Sequence, residues 1–131
     1  MGAYDRVWMA VFVLIHLGIS IIHGTAHSNA RVTLSTAGNV FVFAVILAGP
    51  LIGLVLLWPA ERLGLWLIAL TMGAGLVFGV INHFVLSSPD QVAHVNPQFR
   101  SVFATTAVLL AVTEAACAGL ALHALRGRRV G

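Results

Sequence analysis

The chain of 131 residues contains no lysine and a single cysteine, and only 8% of its residues are charged. Each scarcity excludes something. Soluble domains carry about 25% charged residues. A chain this poor in charge and 60% hydrophobic cannot hide its apolar surface in a soluble fold of its size. With Cys117 alone, neither an intrachain disulfide nor a Cys-rich metal site can form. The seven positive charges are all arginine, scattered over chain ends and connections. No basic face is interleaved with aromatics, so nucleic acid is not an expected partner. Neither a Ser/His/Asp arrangement nor a phosphate loop is present, and no further carboxylate serves a two-acid mechanism. The first apolar run contains His16 and lacks a clean small-residue cleavage pattern, which predicts a retained span rather than a signal peptide. Arg6 stands where myristoylation prefers Ser or Thr.

What the chain does contain is apolar run after apolar run. About 20 apolar residues cross the ~30 Å hydrocarbon core of a bilayer. Four segments meet that length, at about residues 7–27, 39–58, 63–86 and 97–125. The joins are short. The expected fold is therefore all-α: one domain, an integral membrane four-helix bundle running up-down-up-down. Pro59 marks the join between the second and third helices, and Asn96-Pro97 reads as an N-cap followed by proline at the first helical position. Pro50, inside the second segment, predicts a kink. Ser88-Pro89 predicts a short helix through His94, which would set Asp90 and His94 on one face.

Arginine placement orients the bundle. Arg6, Arg62, Arg126, Arg128 and Arg129 fall on one side, Arg31 and Arg100 on the other. The positive-inside tendency then puts both termini in the cytoplasm of a plasma (inner) membrane, with Trp8, Trp58 and Trp66 as an interfacial belt. Gly49-x-x-x-Gly53 and Gly75-x-x-x-Gly79 permit close helix approach, within one chain, in a homo-oligomer or against a membrane-complex partner.

The stretch from His16 to His27 stands out. Residues 16, 20, 23 and 27 share one helical face and read His, Ser, His, His. Lipid offers such a stripe no hydrogen bonds, so it must face a partner, a cavity or an ion. The topology gathers His23, His27, His83 and His94 at the extracytoplasmic end. Imidazole suits zinc, copper or iron, and a His-x-x-x-His pair grips one ion from a single turn. The predicted ligands are His23, His27, His83 and His94, with Asp90 as a further ligand or as an orienting group behind one. Deeper in the membrane, His16 and Glu114 lie at similar depth and are expected to pair, as a relay or as a register-fixing bond; Thr106, Thr113 and Cys117 flank Glu114 as possible hydrogen-bond partners. His123 reads as interfacial, and Arg31 and Arg100 as solvated connections able to meet an anionic headgroup or a haem propionate.

These features suggest a small membrane metalloprotein with a transition-metal site, whose catalysis on an unidentified small molecule, if it is an enzyme, would be redox or hydrolytic. Three other readings compete. One is a b-type cytochrome or quinol-handling subunit with haem b held by His23 or His27 against His83. Another is a proton or metal-ion pathway. The last is a structural or assembly subunit, in which each histidine is an ordinary interfacial or packed residue.

Overall fold

The computed structural model of the chain describes residues 1–127. Arg128 and Arg129, counted above for orientation, lie outside the described residues. The fold is all-helical, with four helices each long and apolar enough to cross a membrane: α1 (Ala3–Ala30), α2 (Thr36–Leu56), α3 (Glu61–Val85) and α4 (Pro97–Arg126). At 1.5 Å per residue, the 28 residues of α1 reach about 42 Å, more than the hydrocarbon core requires. The helices run up-down-up-down. Their order around the bundle is α1, α4, α3, α2, so the last seam, between α1 and α2, has the least packing.

Local chemistry explains the ends. Ser35 accepts the Gly38 N–H and caps α2, and Asn96 accepts the Gln98 N–H ahead of Pro97. Arg31 closes α1 in the left-handed conformation at φ 56°. At the end of the bundle bearing the N-terminus, Glu61 at the start of α3 pairs with the Met1 amino group at 2.7 Å and with Arg6 at 2.8 Å, fastening α1 to α3.

Packing is uneven along the bundle. Its dry core lies toward that same end, where Met9, Val13, Leu65, Ile68, Met72 and Cys117 are buried together. Gly49 and Gly53 press against α3 there. A Cβ on Gly53 would lie 2.7 Å from Ile68 Cγ1, and one on the facing Gly64 only 2.6 Å from the Gly53 carbonyl oxygen. The first glycine pair thus serves a contact inside one chain. Gly75 has a different neighbour: its Cβ would lie 2.5 Å from Glu114 Oε1. The missing side chain makes room for a carboxyl group.

Two segments depart from regular helix. Residues Val42–Ala48 of α2 are π-helical, with the Gly49 N–H reaching back to the Ala44 carbonyl. Pro50 follows directly; having no N–H, it cannot serve the Ile46 carbonyl four residues back. The disturbance expected of this proline takes the form of a widened turn. The end of α3, Ile81–Val85, is also π-helical and carries His83; such turns concentrate at functional sites. The connection from α3 to α4 corrects one expectation. Residues 88–94 form no α-helix but a turn followed by a single 3₁₀ turn, Val92–His94. Asp90 and His94 therefore do not share a helical face.

Candidate metal centre

Three of the predicted ligands meet. His23 and His27 are one turn apart on α1, and His83 comes from the end of α3; one ring nitrogen from each lies within 4.8 Å of the other two. His23 Nε2 stands 3.2 Å from His83 Nε2 and 3.2 Å from His27 Nε2. Two nitrogens bound tetrahedrally to one ion at about 2.0–2.1 Å would be roughly 3.3 Å apart. The two spacings are compatible with ligands sharing an ion.

The partners behind the rings decide which nitrogens carry protons. Thr106 on α4 donates its one hydroxyl proton to a carbonyl of its own helix, Val102 at 2.7 Å or Phe103 at 3.1 Å. With that proton so placed, the 2.7 Å bond between Thr106 Oγ1 and His23 Nδ1 is donated by the ring. His83 Nδ1 faces the Asp90 carbonyl at 3.1 Å, and a carbonyl only accepts. Taken as neutral, both rings are Nδ1–H tautomers by this assignment. Their Nε2 lone pairs then face each other across 3.2 Å, with His27 Nε2 equally close to that of His23. Such an arrangement could hold a cation.

Asp90 adds negative charge at the same place. The residue is 6% exposed, and neither carboxylate oxygen has a partner at hydrogen-bond geometry. Its Oδ1 lies 3.3 Å from His27 Nε2 and 3.3 Å from His83 Nδ1. Burial alone would push its pKa up. The nearby His83 Nδ1–H, with the imidazoles of His83, His27 and His23 where these are protonated, outweighs burial and holds the carboxyl below its usual range. His27 Nδ1 is also buried; it approaches the Val32 backbone without hydrogen-bond geometry. Unsatisfied acceptors and an anionic oxygen thus converge on one point.

Phe103, fully buried, forms the wall behind the cluster, with ring centroids 4.9, 4.7 and 5.2 Å from those of His23, His27 and His83. Sequence reasoning did not single it out and tied Thr106 to Glu114 instead. The available signal was position: Phe103 and Thr106 are three apart on α4, at the level of the histidines.

His94 is a correction. It is exposed and outside the cluster; its Nδ1–H donates to the Ser88 carbonyl at 2.8 Å. Arg100, expected to be solvated, donates to the carbonyls of Ala93 and Val95. Together these two side chains staple the loop that carries Asp90.

The His16–Glu114 pair is also corrected. His16 is 1% exposed, and its Nε2–H donates to the Ile46 carbonyl at 3.3 Å, the group Pro50 leaves free. Its Nδ1 meets Thr113 Oγ1 at 3.5 Å. Glu114, 3% exposed, has no hydrogen bond or ion pair among the described residues. It borders a cavity of about 600 Å³ that also touches His23, His27, His83 and Asp90. Comparison of the chain with protein-family models, curated proteins and solved structures finds no match, so the meaning of this cluster is drawn from its own geometry.

Proposed function

We propose that the protein is a small membrane metalloprotein that holds one transition-metal ion between His23, His27 and His83. The observation that carries this reading is the approach of the His23 and His83 Nε2 atoms to 3.2 Å while the Nδ1 of each ring faces an acceptor. Asp90 supplies the compensating negative charge and fixes His83 from behind, as carboxylate and carbonyl partners do in known metal sites. The donor set is nitrogen with one available oxygen, which suits zinc, copper or iron. Arginine distribution favours an extracytoplasmic location for the centre. Such an ion, once bound, supplies Lewis-acid chemistry or, for copper and iron, electron transfer.

The geometry favours a single ion over haem. A porphyrin iron held by two imidazoles needs its nitrogens roughly 4 Å apart on opposite faces of the ring, twice a metal–nitrogen distance of about 2 Å. At 3.2 Å, His23 and His83 leave no room for a macrocycle between them.

Elemental analysis and absorption spectroscopy of the purified protein test the proposal. The expected result is about one metal ion per chain, no Soret band, and loss of the ion in the His23→Ala, His83→Ala double variant. A protein that retains no zinc, cobalt, copper or iron after equilibration and desalting would overturn it.

A further inference from the structure

The cavity beneath the cluster has a shape the metal reading does not use. Below the His16–Ile46 hydrogen bond the bundle is dry, with Met9, Val13, Leu57 and Met72 filling it. Above it, α1 and α2 diverge. No residue of α2 between Thr36 and Ala48 is buried. The cavity occupies this wedge. Its rim includes Ile21 at 63% exposure and Phe43 at 66%, both on faces that look out of the bundle. A Cβ on Gly24, also at the rim, would meet nothing within 4 Å. These residues lie within the apolar length of their helices, so an opening between them faces hydrocarbon; the cavity also reaches Ser28, Arg31 and Asn39 near the α1–α2 connection. At the inner end stands Glu114. It is eight residues along α4 from Thr106, or about 12 Å below the histidine level. The wedge ends at the apolar plug and does not continue to the far side of the bundle, which sets this space apart from an ion pathway.

We propose that this wedge is a binding site for a hydroxyl-headed lipid, a long-chain alcohol or hydroquinone, that enters from the bilayer between α1 and α2. Three observations fix its chemistry. The cavity volume of about 600 Å³ falls within the range of small-molecule sites, about 300–1,000 Å³. Its walls are mostly apolar, with Phe43, Ile46, Leu47 and Leu110 among them. The carboxyl of Glu114 is buried, unpartnered and cradled by the bare backbone of Gly75. A molecule that travels through hydrocarbon to this depth must be uncharged. A hydroxyl is the neutral head that bonds a carboxyl in either of its protonation states, since it both donates and accepts. The head rests on Glu114, and the chain leaves past Ile21 and Phe43. This site does not depend on the metal reading, because its contact residue is not one of the ligands.

Dicyclohexylcarbodiimide, a lipid-soluble reagent, tests it on the whole chain in lipid nanodiscs. The acid O–H of a carboxyl adds across the N=C bond to give an O-acylisourea, which rearranges to a stable N-acylurea; nothing leaves, and the mass gain locates the label. The expected result is labelling of Glu114, slowed by 1-decanol about fivefold or more relative to n-decane, the margin that one hydrogen bond gives. Gly24→Leu, whose Cβ meets nothing within 4 Å, narrows the mouth and should slow labelling as well. Equal protection by decane and decanol would overturn the proposal, as would labelling by a water-soluble carbodiimide at the same rate. Metal content, measured on the same samples, reports separately on the histidine centre.

Discussion

Thr106→Val isolates the proton assignment on which the metal centre depends. The substitution keeps the shape of the side chain and removes the acceptor 2.7 Å from His23 Nδ1. Two effects follow, and both weaken metal binding. In the metal-bound state the Nδ1–H is left buried and unpaired, which costs about 1–3 kcal/mol. In the metal-free state His23 is released to move its proton to Nε2 and donate to His83 Nε2, 3.2 Å away. The lone-pair conflict that the proposed ion would relieve is then relieved without one. Orienting partners behind metal-bound histidines are typically worth about 10–100-fold in affinity. At 1.4 kcal/mol per factor of ten, that range agrees with the cost of the unpaired N–H.

Zinc or cobalt affinity is measured by competition with a chelator, alongside thermal unfolding of the metal-free protein in detergent. Affinity should drop about 10–100-fold while the metal-free midpoint barely moves. Thr106→Ser, which keeps the hydroxyl, should bind nearly as well as wild type. Unchanged affinity in the valine variant would refute the tautomer assignment. A large loss of metal-free stability would show instead that Thr106 is merely a packing residue.

Other substitutions separate ligands from supports. His83→Ala should abolish stoichiometric metal binding, whereas His94→Ala should leave one ion per chain, because His94 only clips the loop through Ser88; metal analysis of the two variants decides. Asp90→Asn should lower the stability of the metal-free protein at neutral pH. The Asp90 carboxyl titrates below its ordinary 3.8 in the folded state, so its contribution is fully present above that value and is lost as pH falls through the depressed one. Unfolding curves of wild type and variant should therefore converge in acid; a constant gap would argue against charge as the cause. Gly64→Ala should cost about 1–3 kcal/mol, because its Cβ meets the Gly53 carbonyl oxygen at 2.6 Å and the Leu57 nitrogen at 2.9 Å, both backbone. Gly73→Ala, with nothing within 4 Å, is the control for that measurement and should not destabilise.

The helices were legible because their signal is local and redundant. Length and apolarity repeat over 21 to 30 residues in each, and no single position decides the outcome. The histidine cluster was legible in part for the same reason. His23 and His27 share a face by helical spacing alone, and the up-down topology brings His83 to the same end. What failed was the loop. Ser88-Pro89 carries a helix-start signal, but the segment has too few residues to repay nucleation. His94 and Arg100 instead tie it down by bonds to its carbonyls. Asp90 arrives at the cluster through that tether, not through a helical register. Thr106 and Phe103 were out of reach for a different reason. Thr106 lies 83 residues from the histidine it orients, and only the packed bundle makes them neighbours.

The mid-membrane pair illustrates how a correct premise led to the wrong bond. His16 and Glu114 do lie deep, and a buried imidazole does need a partner. The partner is a backbone carbonyl that another residue set free. Pro50 lacks the N–H that would engage Ile46, and Ile46 lies near the middle of α2 as His16 lies near the middle of α1. Proline inside a membrane helix is tolerated when a neighbouring helix takes up the freed carbonyl, and His16 does so. That satisfaction has a consequence for Glu114, which is left without its expected partner beside a cavity that begins where the His16–Ile46 contact ends. One hydrogen bond thus closes the α1–α2 seam on one side and marks the vertex of the wedge on the other. The helix flaw at Pro50, the unpaired carboxyl and the lateral opening are parts of a single arrangement.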